Sequence, residues 1–96
     1  MKVMAIATAS AALTPELFDK HIPHEAPATL QLYLDGKVEQ FWFREKLGPI
    51  FLMNVESVDE AKAILNELPF VAEKLMSYEF MPVVPLAPLR RLIRGK

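Results

Sequence analysis

The sequence predicts an α+β fold, a four-stranded antiparallel sheet with two helices on one face, and three observations carry that expectation. Segments with strand character lie at residues 2–9, 37–46, 50–55 and 77–84. Helix-start chemistry occurs twice, at Thr14-Pro15-Glu16 and at Ser57 with Glu60 three residues on. The resulting order is strand, helix, strand, strand, helix, strand, which is the ferredoxin-like βαββαβ pattern.

Residues 2–9, KVMAIATA, are rich in Val, Ile, Met and Ala without a 3.6-residue period, as a buried strand is. The lysine, apolar run and small residues of this terminus also resemble a secretory leader. The strand reading is preferred because the run passes through Ala12-Leu13 into a capped helix, and its removal would take away a core strand. In that helix Thr14 supplies the N-cap, Pro15 the first helical position and Glu16 an acid in the first turn. A kink or a two-part helix is expected, because Pro23 and Pro27 lack amide donors and free the carbonyls of Asp19 and Pro23. Gly36 should close it in a left-handed C-cap.

Residues 37–46 alternate two side-chain sets. Val38, Gln40, Trp42 and Arg44 face one way, and Glu39, Phe41, Phe43 and Glu45 the other. Each set has aromatic content, so both sheet faces are expected to be covered. The turn Lys46-Leu47-Gly48-Pro49 leads to Ile50–Val55 as a hairpin partner. Ser57 and Glu60 then form a capping box, and Val58, Ala61, Ile64, Leu65 and Leu68 make one apolar stripe, with Pro69 expected to end the helix. Residues 77–84 are the last strand. The domain is therefore expected to span residues 1–84, followed by a tail, 85–96, that is proline-rich and then basic. Within the tail, Leu89, Leu92 and Ile93 recur at helical spacing among Arg90, Arg91, Arg94 and Lys96. So short a segment buries little apolar area on a membrane, and an arm on a neighbouring subunit or a frayed terminus is expected instead.

Composition narrows the class. A chain of 96 residues makes one small domain, and a domain of this size buries only roughly 60–65% of the surface its unfolded form exposes. Yet 52% of its residues are hydrophobic, more than a lone small domain readily hides, which points to self-association. The sequence has no cysteine, so neither a disulfide framework nor a thiolate metal site is expected, and the default compartment is cytoplasmic. A net charge of −1 gives no electrostatic footprint for nucleic acid. No apolar run approaches the ~20 residues that cross a bilayer.

Candidate chemistry concentrates between His21 and Arg44. Proton abstraction beside a carbonyl needs a base within hydrogen-bond reach and a donor for the developing enolate. Glu25 in an apolar pocket would have its pKa raised by desolvation and could serve as acid or base. With helical geometry kept across Pro23, His21 lies one turn from both His24 and Glu25, and either histidine would supply or relay a second proton. Arg44 would clamp a substrate carboxylate, and Trp42 would pack against a planar ring. The competing readings are an exposed Glu25 on the outer helix face, His21 and His24 as ordinary surface or capping residues, Trp42 as a core or interface residue, and Arg44 paired with Glu39, Glu45 or a partner carboxylate. The His21, His24, Glu25 trio matches no strong metal-ligand pattern, and no metal is expected.

The chain resembles the muconolactone isomerase family of dimeric α+β barrels. The resemblance spans residue 2 to about 84 and rests on Glu25 eleven residues before Gly36, Trp42 and Arg44 on the following strand, the helix opening Ser57-Val58-Asp59-Glu60-Ala61, and Leu68-Pro69 before the apolar Phe70. It implies a homodimer joined through sheet faces, often built into larger even-numbered rings, and a cofactor-free proton shift in a small lactone made during aromatic degradation. By position, Glu25 matches the family's proton-transfer carboxylate. A basic pair that would hold an anionic substrate in the isomerase is replaced by Ile22, Pro23 and His24. The expected function is thus a cofactor-independent isomerase or lyase acting on a small unsaturated lactone, acid or polyketide-like ring. The alternatives are a non-catalytic small-molecule binding protein and a cofactor-free monooxygenase, since one fold carries unrelated chemistries.

Overall fold

The computed structural model describes residues 1–84, so the expected tail, 85–96, lies outside the described residues. Four strands, β1 (Lys2–Ala9), β2 (Val38–Arg44), β3 (Gly48–Asn54) and β4 (Met76–Val83), form one sheet in the order β2-β3-β1-β4, with every neighbouring pair antiparallel. The helices are α1 (Pro15–Leu34), α2 (Val58–Leu65) and a four-residue α3 (Pro69–Ala72). This is the ferredoxin-like βαββαβ fold, with a short third helix added before the last strand.

Alternation along the strands decides which face is core. Val3, Ala5 and Ala7 of β1 are buried and sit beside Met53, Phe51, Phe80 and Tyr78 in the ladder. Val3 and Ala5 pack with Val38, Val55, Ala61, Leu65 and Leu68 between sheet and helices, and Ala7 joins a second cluster with Phe70, Leu75 and Met76, Tyr78 touching both. Met4, Ile6, Ile50, Leu52 and Trp42 occupy the opposite face in register with one another, and none of the described helices covers them.

The strand at 38–44 departs from simple alternation. A bulge between Val38 and Gln40 shifts the register, so Val38 pairs with Met53 while Phe41 pairs with Phe51 and Phe43 with Pro49. One extra residue reverses the sense of everything beyond it. Val38 therefore joins Phe41 and Phe43 on the helix side, and Gln40, Trp42 and Arg44 lie on the open side. Glu39, the extra residue, pairs instead with the ammonium of Lys2.

The expected break in α1 does not occur, and the helix runs unbroken through both prolines. Pro23 and Pro27 are one turn apart and both exposed, as is Asp19, so the carbonyls that lose their donors lie along the solvent side where water can serve them. At its end the Lys37 amide donates to the Leu32 carbonyl and the Gly36 amide to the Tyr33 carbonyl, with Gly36 at φ +79°, the paired bonds of a Schellman cap. Ser57 accepts from the Glu60 amide at 3.1 Å, as a capping box requires. That helix stops at Leu65 rather than at Pro69. Pro69 instead opens α3 as its first residue, where a missing amide hydrogen costs nothing.

Candidate functional site

On α1, Phe18, Ile22, Glu25, Ala26, Thr29 and Leu30 fall at three- and four-residue spacing and make one face. That face does not close onto the β2 half of the sheet. A cavity of about 460 Å³ remains between it and the aromatic side chains of Phe41, Phe43 and Phe51, with Phe70 and Met76 at the inner end. The volume suits a small organic ligand. Stacking organises the wall: Phe18 lies over Phe70 at 5.5 Å between ring centroids, and Tyr33 meets Phe41 edge-on at the same distance.

Glu25 is the one ionisable side chain among the residues lining this cavity, and it is only 6% exposed. Its Oε1 accepts a hydrogen bond from the Phe70 amide at 3.0 Å. Phe70 is the second residue of α3, whose N-cap Leu68 offers no side-chain acceptor, so the carboxyl group caps a helix formed forty-five residues later in the chain. Burial pushes the Glu25 pKa up from its ordinary value of 4.5. The Phe70 amide, the Thr29 hydroxyl and the charge of His21 pull it back without reversing the direction. A carboxyl group so placed holds a proton more readily than a solvated one and still has the means to release it.

The other expected site residues are placed unevenly. His21 is half-buried, with its ring edge-on to Phe70 at 6.3 Å, one helical turn from Glu25. His24 is exposed and takes no part in the cavity wall. Trp42 borders the cavity, although its register opposite Ile50 assigns it to the open sheet face, and it is 46% exposed. Arg44 is elsewhere. Its Nη2 donates to the carbonyl oxygens of Ala7 at 2.6 Å and Leu47 at 3.3 Å, and its Nε to that of Gly48 at 3.2 Å. The guanidinium thus ties the β2–β3 turn to β1, in a place that does not face the cavity. Among the described residues, no three His, Asp or Glu side chains come together as a metal site would need.

The sequence did not single out Thr29, Phe18 or Phe70 as wall residues, nor Tyr78 as Glu25's neighbour. Only the helical spacing of Phe18, Ile22 and Thr29, seven and three residues before Glu25 and four after it, carried that signal. The Tyr78 hydroxyl is buried and has no hydrogen-bond partner among the described residues. Burial, then the Glu25 charge, drive its pKa up, so the phenol stays protonated. Its ring stacks on Phe51 at 5.5 Å, which fixes it behind the cavity wall.

No family model matches the sequence, and no curated protein matches it. Among solved structures, the chain is similar to 5-chloro-2-hydroxyhydroquinone dehydrochlorinase from Burkholderia phenoliruptrix AC1100, in complex with 2,5-dihydroxybenzoquinone. The two share 13% identity and superpose with a TM-score of 0.71, over 88% of this chain and 94% of that one. At that identity the likeness establishes a common fold, which the sheet order and helix placement bear out independently.

Proposed function

We propose that the chain is a cofactor-independent enzyme that shifts a proton within a small unsaturated ring, a lactone or a polyketide-like compound, with Glu25 as the group that takes up and returns it. One observation carries this reading: a buried carboxyl group of raised pKa is, among the described residues, the single ionisable side chain on a largely apolar cavity wall. In the ionised form Glu25 takes a proton from a carbon beside the ring carbonyl, and the C–H electron pair moves into the ring as an enolate. The resulting carboxylic acid returns the proton at another carbon of the conjugated system, so the net change is an isomerisation that consumes nothing. His21, one turn away, is positioned to relay a proton to solvent, and the Thr29 hydroxyl is the other polar group on the wall. The similar dehydrochlorinase acts on a hydroxylated ring, which supports a ring-sized ligand here. The reading includes a homodimer joined through the uncovered sheet face, where Met4, Ile6, Ile50, Leu52 and Trp42 form an apolar surface.

The test is an ultraviolet assay in deuterated water with two unsaturated lactones, muconolactone and the uncharged α-angelica lactone, for the native protein and Glu25→Gln. Isomerisation with solvent deuterium in the product, reduced by roughly 10²-fold or more in the variant, supports the reading. Turnover of neither lactone by a folded native protein, with tight binding retained, assigns the cavity to a non-catalytic binding role.

A further inference from the structure

We infer that the ligand of the Glu25 cavity is an uncharged planar ring, and that a carboxylate on the ring excludes it; the inference rests on reading this cavity as the ligand site. The wall is largely apolar, with the aromatic side chains of Phe18, Phe41, Trp42, Phe43, Phe51 and Phe70 beside aliphatic ones, and its polar groups are Glu25 and Thr29. Among the described residues, no lysine, arginine or histidine lines it. The basic side chains closest along the chain are committed or turned elsewhere. Arg44 gives its donors to the carbonyls of Ala7, Leu47 and Gly48, Lys46 borders an adjoining depression that shares Phe18, Phe43 and Met76 with the cavity, and His21, whose charge reaches Glu25, packs its ring edge-on with Phe70 and does not line the cavity.

An anion entering this space gives up its hydration and meets no cation among the described wall residues in return. It also meets Glu25. An ionised Glu25 adds like-charge repulsion at short range, and a protonated one offers a single hydrogen bond against the loss of a whole hydration shell. An uncharged ring faces neither cost and stacks on the aromatic walls. The same feature is legible in the sequence, where Ile22, Pro23 and His24 stand in the turn before the carboxyl group and leave the inward position apolar.

Calorimetric binding of coumarin and coumarin-3-carboxylate at neutral pH tests this, with the two probes sharing one ring and differing in one charge. Coumarin is expected to bind at least about ten-fold more tightly, a difference of about 1.4 kcal/mol. Ala26→Lys, which sets a cation on the same cavity face, is expected to abolish or invert that preference. Equal or tighter binding of the carboxylate by the native protein, or binding of neither ring, overturns the inference. Its failure is distinct from failure of the catalytic reading: a Glu25-dependent turnover confined to muconolactone would sink the uncharged-ligand inference alone, whereas selective coumarin binding with no turnover of any lactone would sink only the catalysis.

Discussion

The Phe70 amide donates to Glu25 Oε1 at 3.0 Å, joining the middle of α1 to the first turn of α3. The bond gives Glu25 a structural task beside its proposed chemical one, and the two tasks separate under substitution. Glu25→Gln keeps a carbonyl oxygen for the Phe70 amide but cannot exchange a proton. Glu25→Leu removes the acceptor and leaves a buried amide without a partner, a loss of about 1–3 kcal/mol. Chemical denaturation should therefore find Glu25→Leu less stable than Glu25→Gln by that amount, while both variants lack activity. A Glu25→Gln protein as destabilised as Glu25→Leu would mean that the side chain is held by something other than this bond.

Titration of Glu25 makes stability depend on pH with a definite sign. Burial raises its pKa in the folded state, so the folded chain holds the proton more tightly than the unfolded chain does. The stabilisation is fully present below the ordinary value of 4.5 and is lost as pH rises through the raised native value. The neighbours that set this are the Phe70 amide, Thr29 and His21, which lower the pKa against burial, and the Tyr78 phenol, which stays neutral. Relative to Glu25→Gln, the native protein should lose stability as pH is raised above 4.5 and through the raised native value. Parallel pH profiles for the two proteins would show that Glu25 does not carry this linkage.

Arg44 closes a structural tie, and its variants should separate that role from ligand binding. Arg44→Ala frees the carbonyls of Ala7, Leu47 and Gly48 at once, at a cost of about 1–3 kcal/mol in unfolding free energy. Arg44→Lys should recover only part of this, because one ammonium group cannot reproduce the planar fork. Coumarin affinity should stay within about two-fold of the native value in a folded Arg44→Lys protein, since the side chain does not line the cavity. A large selective loss of ligand affinity with unchanged stability would restore Arg44 to the ligand site.

Local chemistry made most of the fold legible. Thr14 and Ser57 cap the helices that their neighbours predict, and the apolar runs of residues 2–9 and 50–55 mark β1 and β3, whose core face shows only in the ladder. The bulge at Glu39 was not legible, because an extra residue in a strand leaves the composition unchanged while it reverses every side chain beyond it. Glu25 could be singled out by its spacing from His21 in one helix. Its bond to Phe70 and the bonds of Arg44 to Ala7 could not, because each joins residues far apart in the chain. The prolines misled for a related reason. A proline's cost depends on which side of the helix its orphaned carbonyl faces, and only the packed molecule fixes that. Since Pro23 and Pro27 face solvent, Pro23→Ala is expected to leave α1 continuous and the Glu25 cavity intact. It should raise stability by about 1–3 kcal/mol as the Asp19 carbonyl regains a donor, less the entropy that proline removes from the unfolded chain. Loss of stability or of coumarin binding in Pro23→Ala would show instead that the proline shapes the cavity.

The uncovered sheet face supplies the last expectation. Ile6, Ile50 and Trp42 lie side by side across β1, β3 and β2, and Met4 and Leu52 form the next row. The central positions of both rows are apolar, with Glu79 beside Ile6 and Gln40 beside Leu52 at the flanks, and Trp42 remains 46% exposed in the single chain. If a second copy covers this face, a two-fold axis presents each residue twice, so one substitution alters both sides of the interface. Ile50→Lys would bring two ammonium groups into an apolar contact without partners, at a cost of about 3–5 kcal/mol for each uncompensated charge. Sedimentation should give the native protein a mass at least twice the 10.9 kDa of the chain, and Ile50→Lys the mass of a single chain. The side chain points away from the helices, so the lone chain should keep its secondary structure and the Phe70–Glu25 bond. A native protein that sediments as a single chain would leave the face without the partner proposed for it, and its excess of apolar residues without that explanation.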